Sequence, residues 1–492
     1  MKLKNILIGI ENLKAKGDLE QDIIGIESNS KKVQPGYIFV AIKGFSFDGH
    51  QYIEEAVKNG AIAVVVEKIN KELISKLSNI TIIVAKNTRE FLAIASSNFY
   101  ENPSKKFKLI GITGTKGKTT TTYMIKDILE KAGKKVGLIG TVAVYINGEK
   151  IEDSERTTPE SLELQKIFSK MVEQGTEYVV MEVSSQSLKL HRVDGCDFDM
   201  VVFTNLSEDH ISAKEHPNTK DYFESKLKLF KMCKTGFVNI DDLYGAKIPS
   251  MFPDSEITRY GIDNPGEVIA KDITITNSSV DFKVKLSDRN ERVKVDIPGR
   301  FTVYNALVAI CICKKIGVDP EIIKDALLKV KVPGRSEMVD NKLELPIMID
   351  FAHTPESLQN ILKAVKSYTK GRVICVFGCG GDRDARKRPL MGEISGKIAD
   401  YTIITSDNPR TEDPQVIVNQ IEEGIKKTKG KYEVIVDRKE AIKKAIEMAK
   451  KTDIVVLAGK GHELYQEIND KKYDFDERTI IREIIKNINK KG

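Results

Sequence analysis

The amino-acid sequence predicts an α/β protein of three domains: a small N-terminal α/β domain, a central parallel-sheet domain and a C-terminal doubly wound domain. Three observations predict it. The chain has 492 residues, more than one hydrophobic core organises. The buried apolar run Leu109-Ile110-Gly111-Ile112-Thr113 leads into a loop rich in glycine and lysine and then into a helical pattern. After residue 334, short apolar runs alternate with helical stretches, the signature of strands joined by crossover helices.

The bulk numbers narrow the class. Hydrophobic residues make up 41% and charged residues 30%, which suits an ordinary globular protein. No stretch approaches the roughly 20 apolar residues of a membrane helix. The opening MKLKNILIGIENLK has a short apolar run broken by Glu11 and Lys14, a poor secretory signal, so a cytoplasmic location is expected. The six cysteines have neither paired zinc spacing nor a CxxC motif and sit mostly in apolar runs, so buried reduced thiols are expected. The net charge of +7 is spread over lysine-rich surfaces rather than one face, and stacking aromatics are not interleaved with it. That pattern excludes nucleic acid as the expected partner. It still favours the approach of small anionic nucleotides.

The elements can be taken in chain order. In residues 1–103, Tyr37-Ile38-Phe39-Val40-Ala41 and the run from Ala61 to Val66 read as strands, with a helix around Tyr52 to Val57. Asn102-Pro103-Ser104 breaks the helix ending in SSNFYE and marks a linker. Residues 104–333 open with the strand at 109–113. The helix after it places Ile125, Ile128, Leu129 and Ala132 on one face, and Gly133 ends it. VGLIG, YVVMEV and MVVFTNL continue the strand pattern. Residues 334–492 alternate through PIMIDFAHTP, RVICVFGCGGDRD, YTIITSDNPR, YEVIVD and DIVVLAGKGHE, a Rossmann-like arrangement. In such sheets functional loops follow the carboxyl ends of the strands, where the unusual polar motifs lie.

Gly114-Thr115-Lys116-Gly117-Lys118-Thr119-Thr120 lies between a strand and a helix start, the context that makes a phosphate loop. Backbone N–H groups and the helix N-terminus hold phosphates there, Lys118 neutralises charge, and the Thr119 hydroxyl is placed for Mg²⁺. The central domain is therefore expected to be a P-loop ATPase domain. Ile112 stands where the general pattern has glycine.

This loop variant, TGTKGKTTT, resembles that of the Mur ligase family, and the likeness extends along the whole chain. In the first region Asn29-Ser30-Lys31 followed by QPG and Asp48-Gly49-His50 resembles the family's uridine-nucleotide domain; the family usually has Asp-Ser-Arg, and only Ser30 carries over as a substrate contact. Thr157-Thr158-Pro159 and Glu182-Val183-Ser184-Ser185 through Arg192 resemble the strip touching the peptide-bearing substrate, implicating Thr157, Thr158, Ser184 and Arg192; a Gln common two residues before that Arg is Leu190 here. The resemblance makes Thr119, Glu182 and His210 magnesium ligands, a hard oxygen-rich set suited to that ion. It makes Lys226 a carbamylated lysine that ligates a second Mg²⁺. A buried lysine is pushed toward the neutral amine that CO₂ attacks. Lys118, Lys226 and His210 are thereby the expected catalytic residues. Asn305, Arg335 and Asp350 match ATP-contacting positions, with His353 beside the last.

Three loops of the last region would read an amino-acid acceptor. By resemblance Arg383 and Arg410 hold its carboxylates, the latter within the substrate-binding loop Asp407-Asn408-Pro409-Arg410, while Gly459 and Glu463 contact its ammonium end. The Asp-Asn-Pro-Arg form is typical of family members that use meso-diaminopimelate. The resemblance thus implies an ATP-dependent amide ligase. It would join meso-diaminopimelate to the D-glutamyl carboxylate of UDP-MurNAc-L-Ala-D-Glu through an acyl phosphate, for peptidoglycan precursor synthesis. ATP and Mg²⁺ are the implied cofactors, small molecules the partners, and a monomer the expected state. A lysine-adding sister ligase and a regulatory P-loop NTPase are the alternatives.

Overall fold

The computed structural model describes the chain apart from residues 45–46, 69–76, 78, 208–210, 212–214, 277, 287–288, 342 and 489–492. It divides into two compact units, Met1–Arg259 and Tyr260–Gly492. The mixed α/β architecture agrees with the sequence reading.

The first unit holds two sheets. In the N-terminal sheet the order is Lys14–Lys16, Thr81–Val84, Ala61–Val66, Tyr37–Val40 and Gly25–Glu27. Its other four strands run parallel and are largely buried apolar runs, as parallel strands covered on both faces must be. The strand Lys14–Lys16 is antiparallel and fully exposed, a lysine-bearing edge that discourages further strand addition. Five consecutive strands of the second sheet are, in order, Thr235–Asn239, Met200–Phe203, Lys108–Thr113, Tyr178–Glu182 and Val136–Ile139, all parallel. An antiparallel hairpin, Ala143–Ile146 with Glu149–Asp153, extends it. The sequence reading misses this hairpin, although Asn147 and Gly148 both adopt positive φ, as a tight two-residue turn demands. Register aligns the strand ends: Ile112 lies opposite Glu182 and Thr113 opposite Phe203. Three strands therefore end level, and the residues after them share one rim.

The second unit begins with an antiparallel three-stranded sheet, Lys271–Ile275, Val280–Lys285 and Asn290–Val295, and the helices Arg300–Ile316 and Pro320–Lys329. Its main sheet has the order Glu337–Met338, Ile347–Asp350, Ile454–Ala458, Val373–Phe377, Tyr401–Ile404 and Tyr432–Val434. All but the first strand are parallel. One core packs Leu358, Leu362, Met391, Ile417 and Ile421 against one face. A second packs Ala441, Ile442, Ile481 and Ile485 against the other. The domain is doubly wound. Asp350, Ala458, Phe377 and Ile404 stand in register, so the loops after them leave from one edge.

A buried ion pair underlies that edge. Arg438 and Glu477 have fully buried side chains, with Nη2 2.8 Å from Oε1. Arg438 Nη2 also donates to the carbonyl of Ala458 at 3.1 Å, tying the helix Arg438–Met448 to a strand end. Glu477→Ala would leave a charge buried without its partner, which costs about 3–5 kcal/mol. A denaturation midpoint unchanged by that substitution would contradict this role. All six cysteines are free and buried, as expected. No helix among the described residues is long and apolar enough to cross a membrane.

Candidate active site

The phosphate loop is shaped by two glycines and braced from the neighbouring strand. Gly114 has φ +147° and Gly117 φ +87°. A Cβ on Gly114 would lie 1.9 Å from Thr204 Oγ1, so no larger residue fits. Asn205 splints the loop on both sides: its carbonyl accepts from Thr115 N, its Oδ1 from Lys116 N, and its Nδ2 donates to the Lys116 carbonyl. Thr204 Oγ1 donates to the same carbonyl at 2.7 Å. Sequence reasoning passes over Thr204 and Asn205; their place after an adjacent strand end is the available signal.

Two lysine side chains converge on this loop. Lys118 Nζ donates to the carbonyls of Gly114 and Thr115 at 2.9 and 3.0 Å. Lys226, only 1% exposed, donates to the Gly114 carbonyl at 2.8 Å and lies 4.4 Å from the centre of the Tyr222 ring. The Tyr222 hydroxyl in turn meets Thr115 Oγ1 at 3.1 Å. The helix Lys118–Lys131 starts from a glycine that offers no side-chain cap, so its first turn keeps backbone donors for an anion.

Beside the loop lies a buried carboxylate. Glu182 is 1% exposed. Its Oε1 accepts from Thr119 Oγ1 at 2.9 Å and from Thr141 N at 2.8 Å, and its Oε2 from Thr141 Oγ1 at 3.1 Å. A Cβ on Gly140 would sit 2.5 Å from Oε1, so that glycine keeps the cradle open. The Thr119 proton is committed to the carboxylate, which leaves its lone pairs for a cation. This pair of hard oxygen donors fits Mg²⁺. Of the four expected ligands, Thr119 and Glu182 are brought together. Lys226 lies against the loop through Gly114, as an amine that donates rather than ligates. His210 lies outside the described residues.

The expected peptide-binding strip is contiguous. Thr158 Oγ1 donates to the Glu182 carbonyl and accepts from Ser184 N, while Thr157 Oγ1 meets Thr141 Oγ1 at 3.1 Å. Ser184 Oγ caps the helix Ser185–Lys189 by accepting from Ser187 N. Arg192 donates to the Thr158 carbonyl and pairs with Glu160 at 2.8 Å. Its Nε is buried with no hydrogen-bond partner among the described residues. In the N-terminal sheet region the Ser30 hydroxyl donates to Glu55 Oε2.

In the second unit Asp350 accepts from Ser336 N at 2.8 Å; burial raises its pKa above the usual carboxylate value. The Arg335 guanidinium stacks on Phe351 at 4.7 Å. Asn305 is buried in the helix Arg300–Ile316. His353 takes the Phe351 carbonyl as its Nδ1 partner at 2.8 Å.

The loops expected to read the acceptor interlock. Gly381 N donates to the Asn408 carbonyl, and Arg410 Nη1 to the Gly381 carbonyl at 2.7 Å. Asn408 Nδ2 donates to Glu463 Oε2 at 2.8 Å, and the buried Lys460 Nζ donates to Asn408 Oδ1 at 2.9 Å. Burial pushes the Asp407 carboxyl up, but Lys460 and Arg438 outweigh it, and its pKa falls below the usual range. At Glu463 burial wins over Lys460 and the pKa rises. A Cβ on Gly459, whose φ is +115°, would stand 2.6 Å from Asp407 Oδ2, so only glycine leaves that oxygen open. Arg383 is exposed and donates to the Asp382 carbonyl at 3.1 Å. Lys460, central to this network, is not singled out by the sequence.

A phosphate loop on a parallel sheet, with a doubly wound domain bearing charged loops, defines a nucleotide-using α/β enzyme. Comparison with known proteins gives the family. The Mur ligase middle domain matches residues 112–313, the Mur ligase glutamate ligase domain 334–461, and the Mur ligase family catalytic domain 22–100. A UDP-N-acetylmuramoyl-L-alanyl-D-glutamate–2,6-diaminopimelate ligase of Caldanaerobacter subterraneus subsp. tengcongensis is 50% identical over 486 residues, 99% of each chain. One of Clostridium acetobutylicum is 47% identical over 491 residues, covering 99% of this chain and 100% of that one. A solved structure of a ligase of the same name is 30% identical, with a TM-score of 0.71 over 99% of both chains. The chain belongs to the Mur ligase family.

Proposed function

We propose that the chain is the ATP-dependent ligase that adds meso-diaminopimelate to UDP-MurNAc-L-Ala-D-Glu, forming ADP and phosphate in peptidoglycan precursor synthesis. The observation that carries this reading is the charge pattern of the acceptor loops. Asp407 and Glu463 offer carboxylates to an ammonium group, and Arg410 offers a guanidinium to a carboxylate. A diamino diacid needs both. The near-full-length relatives named as 2,6-diaminopimelate ligases support the same substrate.

The reaction has two steps. The D-glutamyl carboxylate attacks the γ-phosphorus of ATP, the bond to ADP breaks, and an acyl phosphate forms. The acceptor amine then attacks the acyl carbon, loses a proton, and phosphate leaves. In the first step the loop Gly114–Thr120 holds the phosphates through backbone N–H groups, and Lys118 offsets charge where two anions must meet. Arg192, Thr157, Thr158 and Ser184 position the peptide, and Ser30 the nucleotide end of the precursor. Asn305, Arg335 and Asp350 hold the adenosine of ATP. One Mg²⁺ would be held by Thr119, Glu182 and His210 and a second by a carbamylated Lys226, and they would supply charge neutralisation at the triphosphate. Arg383, Asp407–Arg410, Gly459 and Glu463 orient the acceptor. We assign residues 1–103 to precursor binding, 104–333 to ATP binding and 334–492 to acceptor binding, in a cytoplasmic monomer.

The test is acceptor choice. Losing a charge-assisted bond to an ionised group costs roughly 1.5–3 kcal/mol. Arg410→Ala is therefore expected to lower kcat/KM for diaminopimelate by about ten- to two-hundred-fold. Activity with lysine, which has no distal carboxylate, changes far less. An unchanged ratio of the two specificity constants would remove Arg410 from substrate selection.

A further inference from the structure

Arg410 is held by a residue outside the loops that read the acceptor. Its Nε donates to Glu467 Oε2 at 3.0 Å, and its Nη1 to the Gly381 carbonyl at 2.7 Å. Arg410 Nη2 makes no hydrogen bond among the described residues. The two side chains are 18% and 23% exposed, so neither swings freely in water.

The backbone fixes the pair as firmly. Arg410 adopts φ +51°, a conformation that L residues rarely take. It bridges to Ile468, donating its N–H to the Glu467 carbonyl at 3.0 Å and accepting from Asn469 N at 2.8 Å. Glu467 N donates to Asn408 Oδ1, and Gln466 Nε2 to the Asp407 carbonyl. The hairpin Tyr465–Ile468 with Lys471–Asp474 is thus clamped along the loop 407–410.

We propose that Glu467 is a positioning residue for acceptor selection. A guanidinium grips a carboxylate bidentately through two parallel N–H groups on one edge. Glu467 occupies Nε, which closes the Nε edge, and Gly381 takes one Nη1 hydrogen. The donor left for a ligand is Nη2, held in one orientation before the acceptor arrives. Preorganisation of this kind acts on binding rather than on the chemical step. The inference rests on the diaminopimelate reading above.

The test compares Glu467→Ala and Glu467→Gln in the full-length enzyme with diaminopimelate and with lysine. Glu467→Ala is expected to raise KM for diaminopimelate about tenfold with kcat little changed, and to leave KM for lysine unaltered. Glu467→Gln keeps an oxygen for Arg410 Nε and restores most of the loss. In an Arg410→Ala background, Glu467→Ala adds nothing further. Equal losses with both acceptors would mean a purely structural role and overturn the proposal. A lowered KM for diaminopimelate would also overturn it, because Glu467 would then be a counter-ion that the substrate displaces. If the unmodified enzyme ligates lysine but no diaminopimelate, the substrate reading fails and this inference with it; that result is visible before any variant is made.

Discussion

Lys118→Ala should abolish almost all ADP formation while the protein stays folded. The ammonium group sits inside the phosphate loop, 2.9 Å from the Gly114 carbonyl and 3.0 Å from that of Thr115. Both bonds are local, so their loss costs the fold little. The same charge is central to the proposed phosphoryl step, where a carboxylate must approach a triphosphate. Removing a single preorganised charge-stabilising donor costs about 10²–10³ in rate, and a lysine seated within the phosphate loop is expected at or beyond that range. Glu182→Ala should match it, since that carboxylate orients both Thr119 and Thr141. Single-turnover ADP release, with a melting curve as control, decides the matter. Near-normal release from either folded variant would refute the assignment.

The second large effect concerns Lys226. Its amine is 1% exposed and reaches the carbonyl of Gly114. A neutral amine there can attack CO₂, forming an N–C bond and releasing a proton, and the carbamate nitrogen keeps one hydrogen for that carbonyl. The product is an anion beside the phosphate loop. Lys226→Ala should therefore be inactive and regain part of its turnover when short carboxylates such as formate or acetate are supplied. Labelled CO₂ should give a carbamate signal in the active enzyme that is absent from the variant. A fully active protein with a free amine at 226 would contradict it.

Much of this architecture was legible in the sequence because buried parallel strands are continuous apolar runs. Lys108–Thr113, Tyr178–Glu182 and Ile454–Ala458 announce themselves that way. The hairpin strand Glu149–Asp153 is exposed at every residue and carries no apolar signature, so only its Asn147-Gly148 turn could have revealed it. At the site, the glycine and lysine spacing exposed the phosphate loop, but not what holds it. Asn205 and Thr204 act through hydrogen bonds to a segment nearly 90 residues earlier, where sequence periodicity says nothing. Lys460 and Glu467 were hidden for the same reason: their partners, Asn408 and Arg410, lie more than 50 residues away.

The protein should select one acceptor for one precursor. Purified protein incubated with ATP, Mg²⁺, UDP-MurNAc-L-Ala-D-Glu and a panel of amino acids, read by mass spectrometry, tests it directly. A single dominant product is expected, heavier than the precursor by diaminopimelate less one water, formed together with one ADP. A product carrying lysine in preference to diaminopimelate, or ATP hydrolysis with no ligation to any acceptor, would contradict it.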